Sequence, residues 1–354
     1  MHEDWLEDVL PERPTESVRF LSRADIAHCL RKIDAVSVVE AALVEHHAGR
    51  SVLPSESYLP WRNSKGAYSR SIGMPGAVLP EKGEQKFGMK IINASVSNPE
   101  LGMERAGGLG LCFDPETARV TTCMEAGLLS AVRTAVVSAV AVRTAGFAAP
   151  ERLAVIGCGT QAKVHLALFL SRWPGIREVV LHDSEPHMAD KLSAWCAARR
   201  PDIVVETADT TAKALAEADV VLFLTTASEG YVPSAWVRPG SLLVNTSLGD
   251  LTDEVFLGSD QLYVDDLQLI TENPRRPLGR LVNERRILAD DTPGRPSVTA
   301  TFGELLSSGR TGTRPESGYT VANPFGLGVL DVALYHAVAE QAAQTDIGRT
   351  LRLH

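Results

Sequence analysis

Cysteine is sparse and unpatterned in this chain. Five are present in 354 residues (Cys29, Cys112, Cys123, Cys158 and Cys196), an odd number with no CxxC spacing. That excludes a disulfide-stapled scaffold. The acidic start, MHEDWLEDVL, has no signal-peptide pattern, so a reducing, cytoplasmic setting is expected. Basic excess is lacking too: 35 Lys and Arg against 44 Asp and Glu give a formal net charge of −9. The basic residues are scattered, so neither nucleic acid nor an anionic membrane surface is an expected partner. The Arg275-Arg276 pair, between Pro274 and Pro277, reads as a solvated loop. No unbroken apolar run reaches the roughly 18 residues that span a bilayer; the best stretch, 128–149, carries Arg133 and Arg143. The nine histidines form no HExxH motif and no ligand cluster, and no metal is expected.

What the chain does have is a glycine turn in the right setting. An apolar run, Leu153 to Ile156, enters Gly157-Cys158-Gly159-Thr160-Gln161-Ala162, and an Ala/Leu-rich helical pattern follows. Strand, tight turn and helix form the context in which GxGxx(G/A) means a dinucleotide site. Gly157 permits the turn, Gly159 leaves room for a pyrophosphate, and the helix N-terminus offers free N–H groups. Ala162 replaces the third glycine and still allows close helix–strand packing. A second apolar run, 179–181, closes on His182-Asp183, 26 residues after Gly157. A carboxylate there bonds the ribose hydroxyls and repels a 2′-phosphate, which favours NAD over NADP.

Strand candidates at 153–156, 178–182, 203–206, 220–224, 241–246 and 261–264 alternate with helical patterns at 161–172, 186–199 and 210–218. Such alternation predicts an α/β fold, a Rossmann-type doubly wound parallel sheet. Before it, residues 25–49 have helical periodicity, and short apolar stretches between 51 and 120 suggest a mostly antiparallel sheet, so the first part reads as α+β. Asp114-Pro115-Glu116-Thr117 resembles a hairpin turn. An Ala/Val-rich helix, 125–145, leads into the nucleotide domain. The segment 271–318 has weak periodicity and could be an ordered lid or a mobile loop. A final helix, 330–344, is expected to pack back on the first part.

Three polar residues stand out for chemistry. Lys90 interrupts the apolar strand pattern FGMKII, where an inward charge is costly without a partner. Arg133 interrupts the Ala/Val helix. Asp250 ends VNTSLGD, at the carboxyl end of a sheet strand, where open α/β sheets bind ligands. Each also admits a plainer reading: an exposed edge for Lys90, a solvated helix face for Arg133, and a helix cap for Asp250.

In combination, the blocks GMKIINASVSNP (88–99), DPETARVTTCMEAGLLSAVRTAVVS (114–138), VIGCGTQA (155–162), VNTSLGD (244–250) and NPFGLGVLDV (323–332) resemble the ornithine cyclodeaminase/mu-crystallin family over nearly the whole chain. Within it, NPELGMERAGG (98–108) and DIGRTLRLH (346–354) are most similar to the branch that makes 2,3-diaminopropionate for siderophores and peptide antibiotics. The resemblance implies NAD-dependent oxidation of N-(1-amino-1-carboxy-2-ethyl)-glutamate, with release of 2-oxoglutarate. It implies a nucleotide domain, 131–317, inserted between 1–130 and a return, 318–354, that together bind substrate and pair in a homodimer. It implies Lys90 and Arg133 on the substrate carboxylate, Lys90 and Asp250 as the catalytic pair (Lys90 polarising the imine, Asp250 as acid/base), and Thr134 beside the pyrophosphate. Thr225, Asn245 and Ser247 would lie near the nicotinamide.

One departure matters. Ornithine cyclodeaminases carry a glutamate just before a Met-Pro pair, whereas this chain reads Arg70-Ser71-Ile72-Gly73-Met74-Pro75. Arg70 suits a substrate with additional carboxylates, which tilts the expectation toward the diaminopropionate branch. Two rival readings remain: ornithine or lysine cyclodeamination with recycled NAD, and a non-catalytic binding protein like mu-crystallin.

Overall fold

The computed structural model describes residues 16–353. The chain begins with β1 (Ser17–Leu21), α1 (Arg23–Leu30) and α2 (Ala35–His47). The helical periodicity of 25–49 is therefore two helices. Asp34 divides them, because its side chain accepts the N–H groups of Val36 and Ser37 and caps α2. Then come β2 (Ser51–Val52), β3 (Ser57–Arg62), β4 (Tyr68–Val78), β5 (Lys86–Ser95), β6 (Ala106–Phe113) and β7 (Val120–Glu125). β4, β5, β6 and β7 pair antiparallel in sequence order, and β2 and β3 both pair with β4. Between β6 and β7 the expected turn is present, with Asp114 Oδ1 accepting the N–H groups of Glu116 and Thr117.

Glu125 caps α3 (Ala126–Thr144) by accepting the N–H groups of Gly127 and Leu128. This helix is long and apolar enough for a membrane span, yet 67% of its apolar window is buried inside the protein. It is the core helix between two sheets, packing on α2 and β6 on one side and on the nucleotide half on the other.

The second sheet starts with β8 (Arg152–Ile156), α4 (Thr160–Arg172), β9 (Glu178–His182), α5 (Pro186–Ala197), β10 (Val204–Thr207), α6 (Thr211–Leu215), β11 (Val220–Phe223) and β12 (Leu242–Asn245). It continues through α7 (Asp253–Leu257), β13 (Gln261–Val264), α8 (Leu267–Thr271), α9 (Pro277–Asn283), β14 (Ala300–Thr301), α10 (Phe302–Ser308) and β15 (Thr320–Asn323). Every pairing is parallel, in the order β10-β9-β8-β11-β12-β15-β13-β14. All the strands expected from sequence are present. β14 and β15 are additional, and β15 inserts between β12 and β13. The segment 271–318 is ordered structure that places Leu278, Leu281, Ile287, Val298, Phe302 and Leu305 in the core.

After β15 the chain returns to the first sheet as α11 (Gly328–Gln344), which packs on β4, β5 and β6, and as β16 (Arg349–Arg352), antiparallel to β1. β1 itself runs parallel to β7. The order of the second sheet reverses between β8 and β11, so a crevice opens at their carboxyl ends.

The helix–sheet contact is close. Gly110, opposite Lys90 in the β5–β6 register, leaves room for the buried Tyr335 ring of α11, which a Cβ there would approach to 2.6 Å. Gly110→Ala is therefore expected to lower stability by about 1–3 kcal/mol through overpacking, measured by urea unfolding.

Candidate active site

Gly157 leaves β8 with φ +92°, and a Cβ on it would lie 2.7 Å from the Leu224 carbonyl oxygen after β11. The turn is thus wedged where β8, β9 and β11 end, with Gly157 N–H bonded to the His182 carbonyl at 2.8 Å. Gly159 differs: a Cβ there would meet nothing within 4 Å, and no side chain caps α4. Open space therefore faces an uncapped helix N-terminus at Thr160 and Gln161. Asp183 accepts the Cys158 N–H at 2.7 Å and the Glu185 N–H at 2.9 Å, so the carboxylate stands beside the turn. The set fits a dinucleotide without a 2′-phosphate: a pyrophosphate in the open cradle and a ribose against Asp183.

α3 lies against α4 here. Burial holds His165 near pKa 4, hence neutral. Its Nδ1 lies 2.8 Å from the Gln161 carbonyl and must donate, which leaves Nε2 to accept from Ser138 Oγ at 3.0 Å. Ser138 also lies 3.1 Å from Thr246 Oγ1. Thr134, one turn earlier on the same face, donates its hydroxyl to the Ser130 carbonyl at 2.7 Å. Only its acceptor lone pairs remain for a ligand.

Lys90 and Arg133 come together on a residue to which the sequence reading gave no role. Asp331, on α11, accepts from Lys90 Nζ at 2.7 Å and from Arg133 Nε at 3.0 Å, while Arg133 NH2 lies 2.9 Å from its second oxygen. Exposures of 2%, 6% and 0% for Lys90, Arg133 and Asp331 rule out the edge-strand and solvated-face readings. Burial and the Arg133 charge pull the Lys90 ammonium down to about pKa 8 against the opposing pull of Asp331. Asp331 interrupts an apolar helix, LGVLDVAL, by the same logic that singled out Lys90, so the signal was available in the sequence.

Asp250 is fully buried and bonded only by neutral donors: Thr225 Oγ1 at 2.6 Å, Tyr231 Oη at 3.1 Å, and the Ser247 hydroxyl on its other oxygen. Its side chain caps no helix. Burial raises its pKa, and the three hydroxyl bonds oppose that rise. Thr225 and Ser247, expected near the nicotinamide, thus commit their hydroxyl protons to Asp250. Asn245, buried at the end of β12, spends its amide on Asn323 Oδ1 of β15 at 2.7 Å; its own Oδ1 and Gln161 Oε1 are buried without partners. Gly326, just beyond Asn323, abuts Arg133 closely: a Cβ on it would lie 2.6 Å from a guanidinium nitrogen. That contact brings the Lys90–Arg133–Asp331 cluster to the carboxyl edge of the second sheet.

Arg70 shares the Lys90 face of the first sheet, since Met74 pairs with Lys90 and Arg70 lies four residues along β4. The two are about 13 Å apart along the strand. Arg275 is exposed, but Arg276 is half-buried and within electrostatic range of Arg70, which corrects the solvated-loop reading for that residue. Glu56, just before β3, lies among Lys90, Arg133, Asp331 and Arg70; burial raises its carboxyl pKa. Nothing local in the sequence marks Glu56, Tyr231 or Arg276.

Two mutational outcomes follow. Asp331→Asn leaves two cations in a dry site without the carboxylate bonded to them and should cost about 3–5 kcal/mol in urea unfolding. Gly159→Ala should leave that stability unchanged while weakening dinucleotide binding in a fluorescence titration, whereas Gly157→Ala should lose both.

Residues 16–346 match the ornithine cyclodeaminase/mu-crystallin family. The N-((2S)-2-amino-2-carboxyethyl)-L-glutamate dehydrogenase of Staphylococcus aureus is 28% identical, over 95% of this chain and 98% of that one. Among solved structures, CmnK is 43% identical with a TM-score of 0.88, covering 96% of this chain and 99% of its own. An archaeal alanine dehydrogenase, solved as a dimer with bound NAD, shares the fold at 22% identity and a TM-score of 0.80, over 96% of this chain and all (100%) of that one. The chain belongs to the ornithine cyclodeaminase/mu-crystallin family.

Proposed function

We propose that this protein is an NAD-dependent dehydrogenase that converts N-(1-amino-1-carboxy-2-ethyl)-glutamate, the conjugate also written N-(2-amino-2-carboxyethyl)-glutamate, into 2,3-diaminopropionate and 2-oxoglutarate. The observation that carries the reading is the buried Lys90–Arg133–Asp331 cluster. Two cations share the one carboxylate bonded to them, with only the Glu56 carboxyl, its pKa raised by burial, nearby, and this favours a substrate carboxylate in a dry site at the crevice edge. The Staphylococcus aureus relative supports the choice of substrate, as does Gly73 where a cyclodeaminase carries glutamate.

When bound at the glycine turn, NAD supplies the hydride acceptor. Lys90 and Arg133 hold the α-carboxylate of the glutamyl moiety and orient its α-carbon. The Asp250 carboxylate, its pKa raised by burial, takes the proton of the secondary amine as the imine forms. Water adds to the imine carbon. Asp250 then gives that proton to the carbinolamine nitrogen, which leaves as the free amine while the hydroxyl proton passes back to the Asp250 carboxylate as the ketone forms. The two-carboxylate product and the diamine suit siderophore or peptide-antibiotic assembly, and that context is part of the proposal. So is the division of labour: residues 1–130 with the return, 318–354, bind substrate and form a homodimer, and 131–317 bind NAD, with β15 lent to the second sheet by the returning segment.

Incubated with the conjugate and NAD, the protein should form NADH in a one-to-one ratio with 2-oxoglutarate. Proline and ammonia from ornithine with no net NADH would instead establish a cyclodeaminase and sink the proposal. Asp250→Asn should lower kcat by roughly 10²–10⁴-fold with NAD affinity retained. Lys90 is charged below about pH 8 and neutral above it, so KM should be flat below that pH and climb beyond it. A KM unchanged from pH 7 to 10 would remove Lys90 from carboxylate binding.

A further inference from the structure

Three half-buried arginines lie beyond Lys90 with no acid bonded to them: Arg70 on the Lys90 face of β4, and Arg105 and Arg276 within electrostatic range of Arg70. Arg70 on β4 is in register with Ala94 of β5, which pairs with Ala106 of β6. Arg105 stands just before that pair, its carbonyl accepting the Ser95 N–H at 3.0 Å. Arg276 comes from the other half of the molecule, as the residue preceding α9. All three are half-buried. Burial and the Arg70 charge lower the pKa of both Arg105 and Arg276. The hydroxyls of Tyr58 and Tyr68 meet beside Arg70. None of the three arginines makes an ion pair among the described residues, and Glu56, whose charge reaches Arg70 and Arg276, bonds none of them.

Like charges crowded in a partly dry space are unfavourable unless an anion joins them. Guanidinium groups are planar forks that match a carboxylate two bonds at a time. We propose that Arg70, Arg105 and Arg276 form a second carboxylate subsite, which holds the carboxylate of a polyanionic substrate farthest from Lys90 and Arg133. The inference rests on the reading of that substrate as a polycarboxylate and names the residues that select it. Because Arg276 belongs to the nucleotide half and Arg70 and Arg105 to the first sheet, the bound anion also ties the halves together.

The test uses the NAD-loaded protein with two probes, glutarate and butyrate, which differ by one carboxylate. Glutarate should bind more tightly to the wild type. Arg276→Gln and Arg105→Gln should each weaken glutarate by roughly 10- to 100-fold and leave butyrate unchanged. Without ligand, Arg276→Gln should keep or raise Tm, since it relieves repulsion. Equal affinity of the two probes, equal loss of both, or a lowered Tm would overturn the subsite. If the conjugate is not oxidised but glutarate discrimination depends on Arg276, the proposed reaction fails and the subsite stands. If the conjugate is oxidised with a KM indifferent to both substitutions, the subsite fails and the reaction stands.

Discussion

Two cations and one carboxylate share a space that water does not reach, and the rest of the molecule is arranged around keeping them together. Lys90 comes from the first sheet, Arg133 from the core helix and Asp331 from the last long helix. Removing Asp331 leaves two cations that the protein interior cannot solvate, whereas removing either cation leaves the other paired with Asp331. The arrangement adds little to stability compared with an apolar core of the same volume. What it provides is a fixed positive charge in a low-dielectric setting, where attraction for a carboxylate is far stronger than in water.

The two buried aspartates show how environment divides labour between identical side chains. Asp331 is bonded by charged donors and serves as a counter-ion. Asp250 is bonded by three hydroxyls and no charged donor, and burial raises its pKa above that of an ordinary carboxyl. The hydroxyls come from the ends of β11 and β12 and from the loop between them, so the same parallel sheet that carries the glycine turn also fixes the Asp250 carboxyl. α3 joins the two tasks, since Arg133 and Ser138 lie on one helix and reach different halves of the site.

Much of this was legible in the sequence because the signals are local. The glycine turn, Asp183 and the alternation of strands and helices each sit within a short window. Lys90 and Arg133 were visible as charges that interrupt apolar patterns. What escaped is nonlocal. β15 is a four-residue strand after a long irregular segment, and nothing in TVAN says that it slides between β12 and β13. Thr225 and Ser247 were placed at the right strand ends, but their partner, Asp250, became clear only in three dimensions. Asp34, in contrast, was a local cap that broad helical periodicity concealed. Arg276 resembled a solvated loop residue because its neighbour across the site lies about 200 positions earlier in the chain.

The span of the Lys90–Asp331 bond, 241 residues, has a consequence for how the protein is made. During synthesis Lys90 and Arg133 leave the ribosome long before their counter-ion exists. The second sheet is likewise incomplete until β15, an interior strand, emerges. Neither half can reach its final packing early, so the two must mature together once the carboxyl end is released. A chain stopped short of β15 would hold two orphaned cations and a gap in its parallel sheet. Such a product is a target for proteolysis rather than a partial enzyme, and activity arrives in one step with the completed chain.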